Sequence, residues 1–219
     1  MKAELDERGF FLWPTPVSAV DLTHLLAVVA SELAVRPAKL RGVGTYAIRN
    51  LLVSHIELAH LLEDAGLDAM ATQALGTTAV PIDATYFDKN TETNWKVPAH
   101  QDLVVPAAAA PAGSESVHRY GTEYTEPPID YLRRLVALRL HFDDCAEANG
   151  ALAVIPGSHH AKLGDAGIAA LDQSAFVLCP APAGSVLLMK PLLVHRSSSA
   201  RQPSTRRVLH VVYGPKVNG

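Results

Sequence analysis

From residue 77 onward the chain alternates short apolar runs with turn signals, and this pattern limits the folds that it can adopt. The runs are rich in β-branched and aromatic residues, and Gly, Pro or polar residues separate them. Such runs predict short strands, and short strands without long helices between them favour a β-sandwich or barrel over βαβ units. The predicted strands are 80–87, 97–105, 135–142, 151–155, 185–189 and 206–213.

The first third of the chain has helical periodicity instead. Between Ala19 and Val35 the apolar residues recur mostly three and four positions apart, which predicts one amphipathic helix. We expect two further helices, one over about 48–62 and one over 68–75, the latter ended by Gly76. The fold class is therefore expected to be mainly β, with N-terminal and flanking helices.

A single domain is expected over residues 1–219, because this length and a hydrophobic fraction of 48% suit one core and not two. In this division residues 1–76 are mainly helical support and residues 77–219 form the β core. The segment 106–128 is rich in Ala, Pro, Gly and Ser, and so long a connection is typical of a lid over a functional site. The candidate lid residues are Tyr120, Glu123 and Tyr124.

Net charge, cysteine spacing and the N-terminal sequence limit the kinds of partner and the cellular compartment that we expect. The formal net charge of −3 provides no basic field for nucleic acid or an anionic membrane. Neither Cys145 nor Cys179 lies in a CxxC or zinc-binding spacing, which fits a reducing compartment. The charged N-terminus lacks the apolar stretch of a signal peptide. We expect a cytoplasmic protein with a small-molecule substrate and no nucleic-acid or membrane partner; the oligomeric state stays open.

His100 and Asp102 form the candidate metal motif of the sequence. On a strand, residues i and i+2 point to the same face, so His-x-Asp would present an imidazole nitrogen and a carboxylate oxygen side by side. These are two ligands of a 2-His-1-carboxylate facial triad, which is typical of non-haem iron(II) oxygenases. The third ligand must come from a distant strand, and His195 fits because it follows the apolar run 185–189.

A facial triad leaves coordination positions open for a bidentate 2-oxo acid and dioxygen. The far carboxylate of such a co-substrate needs a cation, and an arginine fork matches a carboxylate. Arg206 and Arg207 open the last predicted strand on opposite faces, so one should face inward and the other should be a solvated surface charge. Arg139, His141 and Asp143 also share one strand face, which lines either a site or the solvent-facing side of an edge strand.

Five segments of the chain form an ordered set. They are Phe87–Asp102, Pro127–Pro128, Leu138–His159, Val194–Ser197 and Arg206. Each segment alone is common, but the set in this order resembles the phytanoyl-CoA dioxygenase family of iron(II)- and 2-oxoglutarate-dependent oxygenases. The resemblance covers about residues 80–215, whereas the helical first third is similar to the family only loosely.

The resemblance implies a double-stranded β-helix, that is, a cupin-like jelly roll, with helices packed outside. It implies that His100, Asp102 and His195 are the iron ligands and the catalytic centre. It also assigns the carboxylate of 2-oxoglutarate to Arg206, eleven residues beyond the distal histidine, and not to its neighbour. The further co-substrate-binding residues that it implies are Ser197, Thr85 and Arg139, and Lys89 is added because it lies on the same face as Thr85 if that strand is regular.

The activity that the resemblance implies is hydroxylation of a small-molecule metabolite. Iron(II) is the cofactor, and 2-oxoglutarate and O2 are consumed, with succinate and CO2 as products. Asp102 argues against halogenation, because related halogenases replace this carboxylate with a small residue. Desaturation or cyclisation by the same centre stays open, and so does a coenzyme A or carrier-protein thioester as substrate.

Two alternatives differ in kind from an oxygenase. A cupin-type enzyme with another metal reaction would not need the carboxylate clamp of Arg206. A non-catalytic jelly-roll module that binds metal or 2-oxoglutarate should have lost a ligand or that arginine, and the sequence retains all of them.

Overall fold

A computed structural model describes residues 1–35, 47–90, 94–111, 115–119, 122–201 and 204–216. The helices are α1 (Lys2–Arg8), α2 (Ala19–Val35), α3 (Leu51–Ser54), α4 (Glu57–Asp64), α5 (Leu67–Leu75), α6 (Ile129–Leu132) and α7 (Asp165–Ala169). In the described part of the chain, none of them combines the length and the apolarity that a membrane crossing requires.

In the described residues the strands form three antiparallel sheets. They are β1 (Phe10–Leu12), β2 (Ala47–Ile48), β3 (Ala79–Lys89), β4 (Val97–His100), β5 (Val105–Pro106), β6 (Ser116–Arg119), β7 (Thr122–Thr125), β8 (Val136–His141), β9 (Leu152–Val154), β10 (Val177–Cys179), β11 (Val186–Met189), β12 (His195–Ser197) and β13 (Arg206–Pro215). The sheet orders are β1-β11-β8-β13-β3-β2, β10-β9-β12-β4 and β5-β7-β6. The predicted mainly β fold with flanking helices is confirmed.

The two larger sheets face each other across an apolar cluster. Ala137 and Leu187 contribute to it from the six-stranded sheet, and Leu152 and Val154 contribute from the four-stranded sheet. Because side chains alternate along a strand, the other face of the six-stranded sheet is free to pack on the helices. That outer face forms the largest core cluster together with α2, α4 and α5. The inner face therefore lies between the two sheets, and any polar side chain on it is a candidate site residue.

The helical first third differs from the expectation in two respects. The helix predicted over 48–62 is two helices, because His55 adopts an extended conformation between α3 and α4. The ring of His55 is held there by Glu32, 3.0 Å from Nε2, and by Glu57, 3.2 Å from Nδ1. In addition, β1 and β2 join the edges of the six-stranded sheet, so the first third also supplies strands to the β core.

The segment predicted as a lid contains secondary structure of its own. It continues β5 and includes the β6–β7 hairpin, whose strands pair from Ser116 with Thr125 to Arg119 with Thr122. Tyr124 is buried and Glu123 is exposed, whereas Tyr120 and residues 112–114 lie outside the described residues. Closure of this segment over the site stays a prediction.

Candidate metal centre

His100 and His195 lie on neighbouring strands of the four-stranded sheet. They are direct partners in the antiparallel pair of β4 and β12, and their ring centroids are 4.1 Å apart. The prediction that one strand runs over 97–105 is wrong, because β4 ends at His100 and the next residues form no regular structure. Asp102 therefore does not reach His100 by strand alternation, and other contacts must position it.

Gln101 positions the loop between the two predicted ligands. Its side chain is 7% exposed; Nε2 donates to the carbonyl oxygens of Leu192 and Ala161, the latter at 2.8 Å, and Oε1 accepts from Leu163 N at 2.7 Å. The backbone N–H of Asp102 donates to the carbonyl oxygen of Pro191 at 2.9 Å. The Gln101 amide is thus fixed between two distant loops, which leaves His100 and Asp102 to face the site.

The two imidazoles have the tautomer that a metal ligand needs. The Nδ1 of His100 is 2.9 Å from the carbonyl oxygen of Pro98, and the Nδ1 of His195 is 2.9 Å from that of Leu193. Because a carbonyl only accepts, both Nδ1 atoms carry the proton, and each Nε2 presents a lone pair. The Nε2 atoms face the Asp102 carboxylate at 3.6 and 3.8 Å.

These three side chains fit a divalent metal. One ligand atom from each of His100, Asp102 and His195 lies within 4.8 Å of the others, and two imidazoles with one carboxylate suit iron(II). Burial lowers the pKa of His195 to about 4. Burial alone would raise the pKa of Asp102, but the electrostatic interactions with the imidazoles of His195, His210 and His100 outweigh it, so this pKa is lowered. Neutral imidazoles and an ionised carboxylate are the forms that bind a metal.

Three buried basic side chains occupy the inner face of the six-stranded sheet. Lys89 is 1% exposed, Arg206 is 3% exposed and Arg139 is 8% exposed. Lys89 and Arg206 are direct partners across β3 and β13, and Arg139 lies opposite His210 across β8 and β13. Among the residues that the structure describes, no carboxylate forms an ion pair with any of the three.

The hydrogen bonds of this cationic cluster are incomplete. The Nε atoms of Arg139 and Arg206 are buried without a hydrogen-bond partner. Burial, together with the charges of Arg206 and Arg139, lowers the pKa of Lys89 to about 8. Burial likewise lowers the pKa of Arg139 to about 10. Unpaired buried cations and unused N–H donors are costly unless an anion completes them, so the cluster suits the carboxylate of a 2-oxo acid.

The remaining predicted co-substrate residues lie beside this cluster. Lys89 Nζ donates to the Ser198 carbonyl oxygen at 2.5 Å and is 3.4 Å from Ser197 Oγ. The same Nζ is 5.2 Å from the centre of the Trp95 ring. Thr85 is buried on the same face of β3, opposite His210. The structure therefore brings together all the side chains that were predicted to bind metal or co-substrate.

The environment of Arg207, the arginine that faces away from the site, differs from the prediction. Arg207 is not a solvated surface charge, because its guanidinium forms two hydrogen bonds with Asp143, at 2.7 and 2.8 Å. Asp143 lies beyond the end of β8 and faces that arginine, so it is separated from Arg139 and His141. The edge-strand alternative for this face is also wrong, since β8 lies between β11 and β13 in the sheet.

Two side chains next to the cationic cluster form contacts that were not predicted from the sequence. Phe87 lies 5.9 Å from the Arg139 guanidinium and 6.4 Å from the His210 ring. Cys145 Sγ is 3.9 Å from Arg206 Nη1. Strand alternation from Thr85 would have indicated Phe87, whereas Cys145 lies outside any strand and gives no such signal.

Comparison with known proteins gives one family and many solved structures. The family described as phytanoyl-CoA dioxygenase (PhyH) matches residues 38–208. No curated protein matches the sequence. EctD from S. alaskensis, solved with 2-oxoglutarate and 5-hydroxyectoine, has a TM-score of 0.73 and 21% identity, covering 98% of this chain and 74% of that chain.

Two further structures come from nogalamycin biosynthesis. The non-haem α-ketoglutarate-dependent epimerase SnoN has a TM-score of 0.70 and 16% identity, covering 98% of this chain and 79% of that chain. The carbocyclase SnoK, described in the same terms, has a TM-score of 0.69 and 16% identity, covering 97% and 82%. At these identities the likeness concerns the fold, and it confirms the expected double-stranded β-helix.

Proposed function

We propose that this chain, which belongs to the phytanoyl-CoA dioxygenase family of non-haem iron, 2-oxoglutarate-dependent oxygenases, hydroxylates a small-molecule metabolite. In that reaction 2-oxoglutarate and O2 are converted to succinate and CO2, and one oxygen atom enters the substrate. The observation that carries the proposal is the juxtaposition of a two-histidine, one-carboxylate set with a buried cationic cluster on the facing sheet.

In this proposal His100, Asp102 and His195 hold iron(II). When bound there, the metal supplies the activation of dioxygen that the oxidation of a C–H bond requires. The protein fixes the two imidazoles through their Nδ1 hydrogen bonds to main-chain carbonyls. It fixes the carboxylate through the backbone N–H of Asp102 and the anchored side chain of Gln101.

The co-substrate binds beside the metal in the same proposal. Arg206 binds the far carboxylate of 2-oxoglutarate, and Lys89 and Arg139 add positive charge around it. The unpaired Nε atoms of the two arginines support this role, because a carboxylate would give them the acceptors that they lack. Thr85 and Ser197 supply neutral hydroxyl groups at the border of the cluster.

Hydroxylation is preferred to halogenation because Asp102 occupies the ligand position. A second outcome from the same centre, such as cyclisation or desaturation, is the alternative proposal. The fold supports it, since a carbocyclase and an epimerase share this architecture with EctD, which was solved with 5-hydroxyectoine.

Succinate formation in ligand variants tests the proposal. We expect His100→Ala and Asp102→Ala to abolish succinate release from 2-oxoglutarate, while His60→Ala, an exposed histidine of α4, keeps it. Arg206→Met should raise the KM for 2-oxoglutarate more than Arg207→Met, because only Arg206 lies on the inner face. Succinate release that persists in both ligand variants would contradict the iron assignment.

A further inference from the structure

Asp83 is an acidic side chain on the same inner face as the metal and co-substrate groups. It lies two residues before Thr85 on β3 and opposite Val212 on β13. Strand alternation places it on one face with Phe87 and Lys89. None of the roles assigned above uses this half-buried carboxylate.

The inner face of β3 has opposite charge at its two ends. Lys89 and Asp83 are six residues apart, which is about 20 Å along a strand. Thr85 lies between them, opposite His210, whose Nε2 is 3.9 Å from Asp102 Oδ2. The metal centre and Arg139 are therefore level with the middle of this face, Lys89 and Arg206 lie to one side, and Asp83 lies to the other.

The surroundings of Asp83 lack a full cationic partner. Among the described residues no lysine, arginine or histidine forms an ion pair with its carboxylate, although Arg49 acts on it electrostatically. The Tyr124 hydroxyl forms a hydrogen bond with it, and the same hydroxyl donates to Asn50 Oδ1 at 2.8 Å. The Ala84 backbone N–H also forms a hydrogen bond with this carboxylate, so its hydrogen-bond partners among the described residues are neutral groups.

The pKa of Asp83 agrees with this description. Burial raises it to about 6, because the hydrogen bonds and the charge of Arg49 offset only part of the lost hydration. A group that brings positive charge and N–H donors to this carboxylate would replace that hydration. A neutral hydroxyl would supply a single weaker hydrogen bond, which Tyr124 already provides.

We propose that Asp83 anchors the substrate through a protonated amine, with Tyr124 bordering the same subsite, so that the substrate class is a small primary or secondary amine. This inference rests on the proposed oxygenase function, because it presumes that the substrate binds beside the metal. It assigns β7 a contact with substrate through Tyr124.

The first test compares matched compounds in the iron-loaded enzyme with 2-oxoglutarate. The panel contains small primary and secondary amines, including amino acids, and for each one its neutral N-acetyl derivative. We expect at least one amine to increase succinate release severalfold over the substrate-free rate, and its N-acetyl derivative to have no effect. Equal stimulation by the N-acetyl derivatives, or no stimulation by any amine of the panel, overturns the proposal.

The second test uses variants of the carboxylate with the stimulating amine. Asp83→Asn keeps the shape but removes the charge, and we expect it to raise the KM for the amine at least tenfold. Asp130→Asn is the control, because that exposed carboxylate pairs only with Arg133 at the surface, and it should leave the KM unchanged. Asp83→Ser provides a second variant should the asparagine fail to fold. An unchanged KM in a folded Asp83 variant contradicts the anchoring role.

Failure of this inference can be told from failure of the oxygenase proposal. If the wild-type protein binds iron(II) and 2-oxoglutarate together but no amine affects turnover, only the role of Asp83 is wrong. If the protein binds neither, the oxygenase proposal itself is wrong.

Discussion

The protonation state of Lys89 changes the positive charge of the cluster that is proposed to bind the co-substrate. Its pKa is lowered to about 8 by burial and by the neighbouring arginines, so it is protonated below pH 8 and neutral above. An anion binds more tightly to the protonated form. We therefore expect the dissociation constant of 2-oxoglutarate to be constant from pH 6.5 to about 7.5 and to rise above pH 8.

The Lys89→Met variant isolates this effect. It should bind 2-oxoglutarate on the order of tenfold more weakly at pH 7, the effect of losing one charge-assisted contact. Its dissociation constant should no longer rise between pH 7 and 9, because Arg206 stays charged throughout this range. Isothermal titration at several pH values measures both quantities. A wild-type constant that does not change with pH contradicts the role of Lys89.

Gln101 lies between two proposed ligands and acts through the main chain around them. Gln101→Leu removes its three hydrogen bonds and leaves the carbonyl oxygens of Ala161 and Leu192 and the N–H of Leu163 without their partner. We expect the affinity for iron(II) to fall by about 10- to 100-fold, the range for groups that orient metal ligands. Competition with a metal chelator measures it. Gln73→Leu, at an exposed position of α5, is the control, and equal affinities in both variants contradict the positioning role.

The strand face on which each side chain lies could be predicted from the sequence, but the conformation of the loops could not. Alternation puts Thr85 and Lys89 on one face of β3 and puts Arg206 and Arg207 on opposite faces of β13, and the family resemblance selected Arg206 as the inward residue. The position of Asp102 depends on contacts that Gln101 and the Asp102 backbone N–H make with loops about 60 and 90 residues away. Contacts between such distant residues cannot be inferred from local sequence periodicity. The pairing of His100 with His195 likewise depends on sheet register.

At the scale of elements, the turn between β8 and β9 supports the co-substrate cluster. Gly150 has a φ of 81°, a conformation that favours glycine. A Cβ added there would lie 2.4 Å from the Ser198 carbonyl oxygen and 3.1 Å from Lys89 Nζ. Because that carbonyl accepts the hydrogen bond of Lys89, the turn and the lysine share one contact.

We expect Gly150→Ala to affect stability and co-substrate binding together. The free energy of unfolding should fall by about 1 to 3 kcal/mol because of the left-handed backbone, and the affinity for 2-oxoglutarate should fall because Ser198 must move. Urea denaturation and calorimetric titration measure the two effects. Gly167→Ala in α7, where a Cβ meets its nearest neighbour at 3.6 Å, should change neither. A destabilised Gly150→Ala protein with unaltered co-substrate affinity contradicts the shared contact.

Long periodic elements were predicted better than short ones. The helix over Ala19–Val35 and the strand over Arg206–Pro215 follow from their apolar patterns. The strands β10 and β12 have three residues each, too few for a period to show. His55 divides the second predicted helix through a tertiary contact with Glu32, which local propensity does not encode.

At the scale of the whole molecule, charge is distributed unevenly. The chain carries a formal net charge of −3, yet the enclosed inner face holds the buried cations Lys89, Arg139 and Arg206. A ligand that neutralises these cations binds the folded state and not the unfolded chain, so it should stabilise the fold.

We expect the melting temperature to rise when manganese(II), a redox-inactive substitute for iron(II), and 2-oxoglutarate are added together. Each alone should give a smaller rise, because the 2-oxo acid binds both the metal and the cationic cluster. At 100 times the dissociation constant the stabilisation should be about 2.7 kcal/mol. Differential scanning calorimetry measures it. Purely additive shifts from the two ligands contradict the shared site.

The most direct measurement is an anaerobic titration of the metal-free protein with iron(II) and 2-oxoglutarate, followed by visible absorption. A 2-oxo acid that binds iron(II) through two oxygens gives a weak visible charge-transfer band. We predict that this band saturates at one iron per chain, requires both components, and is absent from folded His100→Ala protein. Absence of the band from wild-type protein, shown by circular dichroism to be folded, would contradict the assignment of iron and 2-oxoglutarate to this site.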